Sequence, residues 1–295
     1  MAETGPIPDS FDEVLDLDYA KDYAPSLEAF QTRYQTLLNG HPGYGHSAAQ
    51  QEEFLRRLRW GHNFYRMVRF VRTHGSVIAN RNPDLPDSDK VKRLAQEVGD
   101  RMRLPDMGGV LRDVEDGRSI SIIGVHQGYH WLNKTAKDQI RLPRVHITKS
   151  GAAQPIGDDI VFKAENADPT AFLKLIKDIR KRQVLIELHP DGRNGETVRK
   201  PLMGAEVAVG VGFTTLSWHA KASVYSLGTT WDGEQFIVDV KKEPDPRDFE
   251  DSQSYGDAAV ESYVDMLRTA YLETPENLRL PRLITDSEDG GALDD

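Results

Sequence analysis

Apolar residues recur every three or four positions through the first third of the chain, and then the period changes. From Ser47 to about Asn80, Phe54, Leu55, Leu58, Phe64, Tyr65, Val68 and Val71 fall on one side of a helical wheel with arginines between them. This predicts a helix that Gly61 bends or divides. A shorter helix is predicted over Ser26–Leu38, closed by the breaker Gly40-His-Pro-Gly-Tyr-Gly45. After the loop Asn82–Asp87, Ser88–Met102 reads as a further helix capped by Ser88 or Asp89. Ahead of all of these, Phe11, Val14, Leu15 and Leu17 suit a short docked turn within an acidic lead-in.

The middle of the chain alternates strand and helix. Ser119–Val125 is a strand, Gly128–Ile140 is helical, and Arg144–Thr148 and Ile160–Phe162 are short strands. Asp168–Arg182 is an amphipathic helix with Pro169 in its first turn. Val184–Leu188 is an apolar strand running into His189-Pro-Asp-Gly-Arg-Asn-Gly195. Gly210–His219 reads as a helix feeding the strand Ala222–Leu227, then an Asp232-Gly233 hairpin turn and the returning strand Gln235–Val240. Tyr255–Leu272 forms a last amphipathic helix. The expected architecture is α/β: a single domain with a mixed, largely parallel central sheet flanked by helices, preceded by a helical N-terminal region. Its expected divisions are an acidic lead-in over 1–25, the helical region over 26–110, the α/β core over 111–285, and a disordered acidic tail over 286–295.

Composition narrows the classes. The formal net charge is −10, which disfavours a nucleic-acid binder, since phosphate attraction needs a basic face. The absence of cysteine removes disulfides, thiolate metal sites and cysteine nucleophiles. No apolar run approaches the ~18 residues of a membrane span, and Met1–Pro6 carries no secretory pattern, so a cytoplasmic protein is expected. Arg56, Arg57, Arg59, Arg66, Arg69 and Arg72 crowd one segment, either as a solvated helix face or as a docking face for an anionic partner. No metal-ligand array, Walker loop or Gly-x-Gly-x-x-Gly turn is present.

Candidate chemistry gathers where strands end, because ligands of open α/β sheets sit at their carboxyl ends. At the first such place, Ser119–Val125 runs into His126-Gln-Gly-Tyr-His130. His126 is either a polar turn residue or a base able to take a proton from a hydroxyl or amine. Gly128 allows close backbone approach, and N–H groups of the helix start can stabilise an oxyanion. His130 is a second candidate for the same groove. At the next strand end, Glu187-Leu-His-Pro-Asp-Gly-Arg193, Asp191 either holds the turn or orients Arg193, whose donor fork suits phosphate or carboxylate. His189 is the rival proton-transfer residue. The third place, Pro201-Leu-Met-Gly204 leading to Val209-Gly-Val-Gly-Phe213, fits either close helix-on-strand packing or an acyl-chain floor.

Taken in order, the His-x-Gly-x-x-Trp-like turn, the strand into Pro-Asp-Gly-Arg, Pro-Leu-Met-Gly, and Tyr271-Leu-Glu-Thr-Pro-Glu-Asn-Leu-Arg279 resemble the lysophospholipid acyltransferase superfamily. Within it they are most similar to the late acyltransferases of lipid A biosynthesis. The resemblance covers roughly residues 118–282. It implies an acyltransferase moving an acyl or aminoacyl group from a thioester or ester donor to a hydroxyl or amine. In that reading His126 and Asp191 are catalytic, and Gly128, His130, His189, Arg193 and Gly204 bind substrate. No tightly bound cofactor and no metal are implied; an acyl carrier protein or coenzyme A thioester is the co-substrate. Partners would be an acidic carrier protein and a small amphiphilic acceptor. The chain departs from the family's His-x4-Asp/Glu pattern, since the acid's position holds Trp131. Asp191, Glu187 or Asp138 must then supply the carboxylate, or the fold acts as a lipid- or protein-binding module without catalysis.

Overall fold

The computed structural model describes residues 10–16, 47–54, 56–57, 88–124, 130–148, 157–163, 169–190, 196–203, 205–274 and 283–284. The helix expected over Ser26–Leu38, most of the arginine-rich segment and the acidic tail lie outside them. Among the described residues, a seven-stranded sheet has the order β1-β9-β8-β2-β5-β3-β4. Its strands are β1 (Met102–Arg103), β2 (Ile120–Ile123), β3 (Arg144–Thr148), β4 (Ile160–Lys163), β5 (Leu185–Leu188), β8 (Ser223–Trp231) and β9 (Phe236–Lys242). β8, β2, β5, β3 and β4 run parallel; β9 returns antiparallel to β8 and carries β1 with it. The chain is thus a single α/β domain with a mixed, mostly parallel sheet flanked by helices.

β2 lies at the centre with every residue buried, which is why it reads as a continuous apolar run and not as an alternating one. Strand parity divides its side chains between two layers. Ile120 and Ile122, with Leu185, Tyr225 and Leu227, pack toward α3 (Gly108–Glu115) and α4 (Lys134–Lys137). Ile123 and Val224 face the opposite layer, built from α6 (Gly212–Ala220) and α7 (Ser252–Glu273). On that side the Ser217 hydroxyl of α6 donates to Ser121 of β2 at 2.8 Å. α5 (Pro169–Ile179) crosses from β4 to β5 and buries Leu175, Ile176 and Ile179 beside α6.

Several local expectations are met and some are corrected. Phe11, in α1 (Phe11–Asp16), docks against Trp231 and Phe236 with ring centroids 5.6 and 6.1 Å away. α7 begins at an Asp251 cap that accepts from the Gln253 and Ser254 N–H groups. The β8–β9 turn is the expected hairpin, with Gly233 at φ +108°. The helix read over Ser88–Met102 is shorter: α2 (Ser88–Asp100) stops, and Met102–Arg103 become strand β1 beside Phe236–Ile237. The helix read over Gly128–Ile140 is described only as a tight 3-10 turn, His130–Asn133, and the short α4. The sequence pattern assigns no element to residues 197–209. Residues 197–202 and 205–210 form an antiparallel hairpin, β6 (Thr197–Leu202) and β7 (Ala205–Gly210), in which Leu202 pairs with Ala205 and Met203 takes φ +51°. β10 (Leu283–Ile284) pairs on its far side. Val207 and Val209 enter the core with Phe213, so close packing accounts for these residues.

The amino ends of the parallel strands are closed by an ion network. Asp113 accepts from Arg118 (2.8 Å), the Tyr225 hydroxyl (2.6 Å) and Lys242 (2.6 Å), while Arg247 reaches Ser223 (2.9 Å) and Asp245. Burial pushes the Asp113 carboxyl up, but hydrogen bonds from Lys242 and Tyr225 hold it far below the usual carboxylate range. Its donors are thereby used within the fold, and the opposite end of the sheet is where reactive groups collect.

Candidate functional site at the carboxyl ends of the central strands

Beyond Ile123, Gly124 extends the ladder by one residue, its N–H donating to the Leu188 carbonyl at 3.1 Å. The next described segment is the turn His130–Asn133, which is fastened over the end of β8. The Asn133 amide donates to the Leu227 carbonyl at 3.0 Å, and the Thr229 hydroxyl donates to the Asn133 side-chain oxygen. Asn133 is buried and its polar atoms are matched, so this anchor sets where α4 begins. Leu132, Ala136 and Ile140 fill the core at helical spacing. Asn133 and Lys137, four residues apart, lie on the flank of that stripe.

Lys137 is therefore carried inward, against the end of β5. Its ammonium donates to Glu187, whose side chain shares the α4-facing side of the sheet with Leu185. His189, two residues on, keeps the same side, with its Nε2 3.8 Å from Glu187 Oε1. The His189 ring occupies space that only a glycine leaves open. A Cβ on Gly124 would stand 2.8 Å from Cε1 and 2.9 Å from Nδ1 of that ring. The imidazole thus lies against Gly124, at the carboxyl end of β2.

Burial works to raise the Glu187 carboxyl. The His189 ring beside it, together with the charge and hydrogen bond of Lys137, overcomes it and lowers the carboxyl from 4.5 to about 2. An ionised carboxylate beside an imidazole orients the ring, so the cluster sets an oriented imidazole at the mouth of the sheet.

The site residues expected from the sequence fall into three groups. His189 is brought together with Glu187, Lys137 and Gly124. His130 and Trp131 lie on the 3-10 turn that begins four residues after His126. His126, Gly128, Asp191, Arg193 and Gly204 lie outside the described residues. Of the stand-in carboxylates, Asp138 is engaged elsewhere, with Lys134 at 2.5 Å and Arg144 at 2.6 Å near the start of β3. Of the two that are described, Glu187 is the one placed at a strand end. Lys137, Asn133 and Gly124 were not foreseen. The signal available was the polar pair Asn133 and Lys137 flanking an apolar i, i+4, i+8 stripe. Among the described residues no group of three or more His, Asp or Glu side chains is placed to hold a metal ion, and no helix is long and apolar enough to cross a membrane.

No family model matches the chain, and no curated protein matches it. Among solved structures it is similar to the crystal structure of the 1-acyl-sn-glycerophosphate acyltransferase PlsC from Thermotoga maritima. The identity is 11% and the TM-score 0.37, with the match covering 76% of this chain and 96% of that one. A likeness of that degree carries neither a family nor a reaction over to this chain.

Proposed function

We propose that this protein is an acyltransferase-like enzyme working at the carboxyl ends of β2 and β5. It moves an acyl or aminoacyl group from a thioester or ester donor, carried on an acyl carrier protein or coenzyme A, to a hydroxyl or amine of a small amphiphile in the cytoplasm. His126 is the general base. It removes the acceptor proton as the oxygen or nitrogen attacks the acyl carbonyl. Backbone donors near Gly128 hold the oxyanion, and Arg193, oriented by Asp191, anchors an anionic group of the substrate. The tetrahedral intermediate then collapses with cleavage of the carbon–sulfur or carbon–oxygen bond to the donor, and the imidazolium returns its proton to the leaving group. The observation that supports this reading is the cluster of Glu187, His189 and Lys137 beside the exit of β2, which supplies a carboxylate at the sheet end where Trp131 replaces the expected acid.

The same observation favours one second reading, in which His189 is the base and Glu187 its orienting carboxylate. Intact-mass measurement of candidate acceptors, incubated with acyl-loaded carrier protein or acyl coenzyme A, separates the two. Under the first reading His126→Ala lowers transfer by roughly a hundredfold or more while His189→Ala retains part of it. The second reverses that order. Transfer unchanged in both variants refutes acid–base catalysis here. Binding of an acyl thioester with no transfer to any acceptor marks the chain as a binding module.

A further inference from the structure

We propose that the outer face of α5 docks this protein on an anionic lipid surface, through Leu173 and the lysines 174, 177 and 181. The inference stands independently of the reaction assigned to the strand ends.

The charge of this face opposes that of the chain. The protein as a whole carries −10, yet the nine residues 174–182 hold Lys174, Lys177, Arg180, Lys181 and Arg182 against the single acid Asp178. All five cations are exposed. Lys174, Lys177 and Lys181 follow one another at intervals of three and four, so they form a stripe along one side of the helix and the turn that ends it. At the head of the stripe stands Leu173, 66% exposed, the most open large hydrophobic side chain among the described residues. The next, Leu104, reaches 42%. Leu173 is not needed by the core, because Leu175, Ile176 and Ile179 already fill the inner face and Phe172 packs edge-on against Phe162 at 6.2 Å.

Topology sets this face in a useful orientation. α5 connects two parallel strands, so it runs back from the carboxyl end of β4 toward the amino end of β5. Its first turns, with Leu173, therefore lie at the rim where β2 and β5 also end. The helix is the outer ridge of its layer, over the β5-β3-β4 side of the sheet. The face presents one exposed apolar side chain and a row of exposed ammonium groups. It suits an adaptable surface of phosphate headgroups, into which a leucine inserts while lysines gather charge.

Flotation of the full chain with vesicles tests the proposal. One set contains phosphatidylcholine alone, and the other replaces about one-third of it with phosphatidylglycerol. The protein is expected to float with the anionic vesicles only. Raising salt, or the triple change Lys174→Glu, Lys177→Glu and Lys181→Glu, should weaken binding by roughly tenfold or more. Leu173→Ser should weaken it severalfold and leave the salt dependence in place. If the charge reversal unfolds the chain, the triple glutamine variant carries the same expectation at smaller amplitude. Absence of binding to anionic vesicles overturns the proposal, as does wild-type binding by the triple variant. It is also overturned if the stripe serves only to capture an acidic carrier protein in solution, with no vesicle binding.

Discussion

Replacing Lys137 by methionine tests whether the strand-end cluster is an electrostatic unit. The thioether keeps most of the buried stem and removes only the ammonium that donates to Glu187. Moving a carboxyl from an ordinary 4.5 down to about 2 corresponds to about 3 kcal/mol of preference for the ionised form. That figure is a ceiling on the pair's worth, because the Glu187 side chain is still 30% exposed and water screens part of the interaction. Stranding one member of a mostly buried pair costs about 3–5 kcal/mol, so a loss of about 2–3 kcal/mol is expected after that screening. In a chain of this size it corresponds to a fall in Tm of roughly 3–5 °C. The pH dependence carries the sharper signature. Glu187 has a depressed pKa in the folded state, so its contribution is fully present above about 4.5 and is lost as pH falls toward about 2. The stability gap between wild type and Lys137→Met, read from urea midpoints, should therefore be greatest near neutral pH and narrow as pH falls toward about 2. Adding Glu187→Leu to Lys137→Met should recover much of the loss, because no charge is then left buried alone. A gap that does not change with pH, or a double variant no more stable than the single one, refutes an ion pair as the organising interaction.

Two further outcomes follow from the same structure. Gly124→Ala should force the His189 ring off the exit of β2, lowering Tm by the equivalent of about 1–3 kcal/mol and impairing transfer; His189→Ala in that background should restore the Tm but not the activity. Tyr225→Phe should cost about 1–3 kcal/mol in urea unfolding by removing a hydroxyl that donates to buried Asp113, and should move acid unfolding to higher pH because that carboxyl is then held down less strongly.

How much of this was legible in the sequence depends on the range of the interaction concerned. Ile120–Ile123 and Leu185–Leu188 announce themselves as apolar runs, and strand parity then dictates that Glu187 and His189 share a side. The Asp232-Gly233 hairpin and the periodic face of Ser252–Glu273 are equally local. The hairpin over residues 197–210 was harder to see. Its strand β6 alternates polar residues at an edge, and its turn places a positive φ on Met203, a residue that gives no turn signal. The stand-in for the missing acid was also beyond a linear reading, since Asp191, Glu187 and Asp138 are equivalent candidates in the sequence, and only the partners of Asp138 and Glu187 set those two apart.

The sequence by itself determined the class of architecture, the order of β2 to β5, β8 and β9 with the helices between them, and the presence of histidines where strands end. These follow from periodicity and from the geometry of single elements. Only the tertiary structure decided that β2 stands between β5 and β8, that Asn133 fastens α4 over the end of β8, and that Lys137 reaches Glu187 across fifty residues of chain. The physical reason is that an ion pair in a partly buried site depends on distance and solvent exposure, and both are set by how the elements pack.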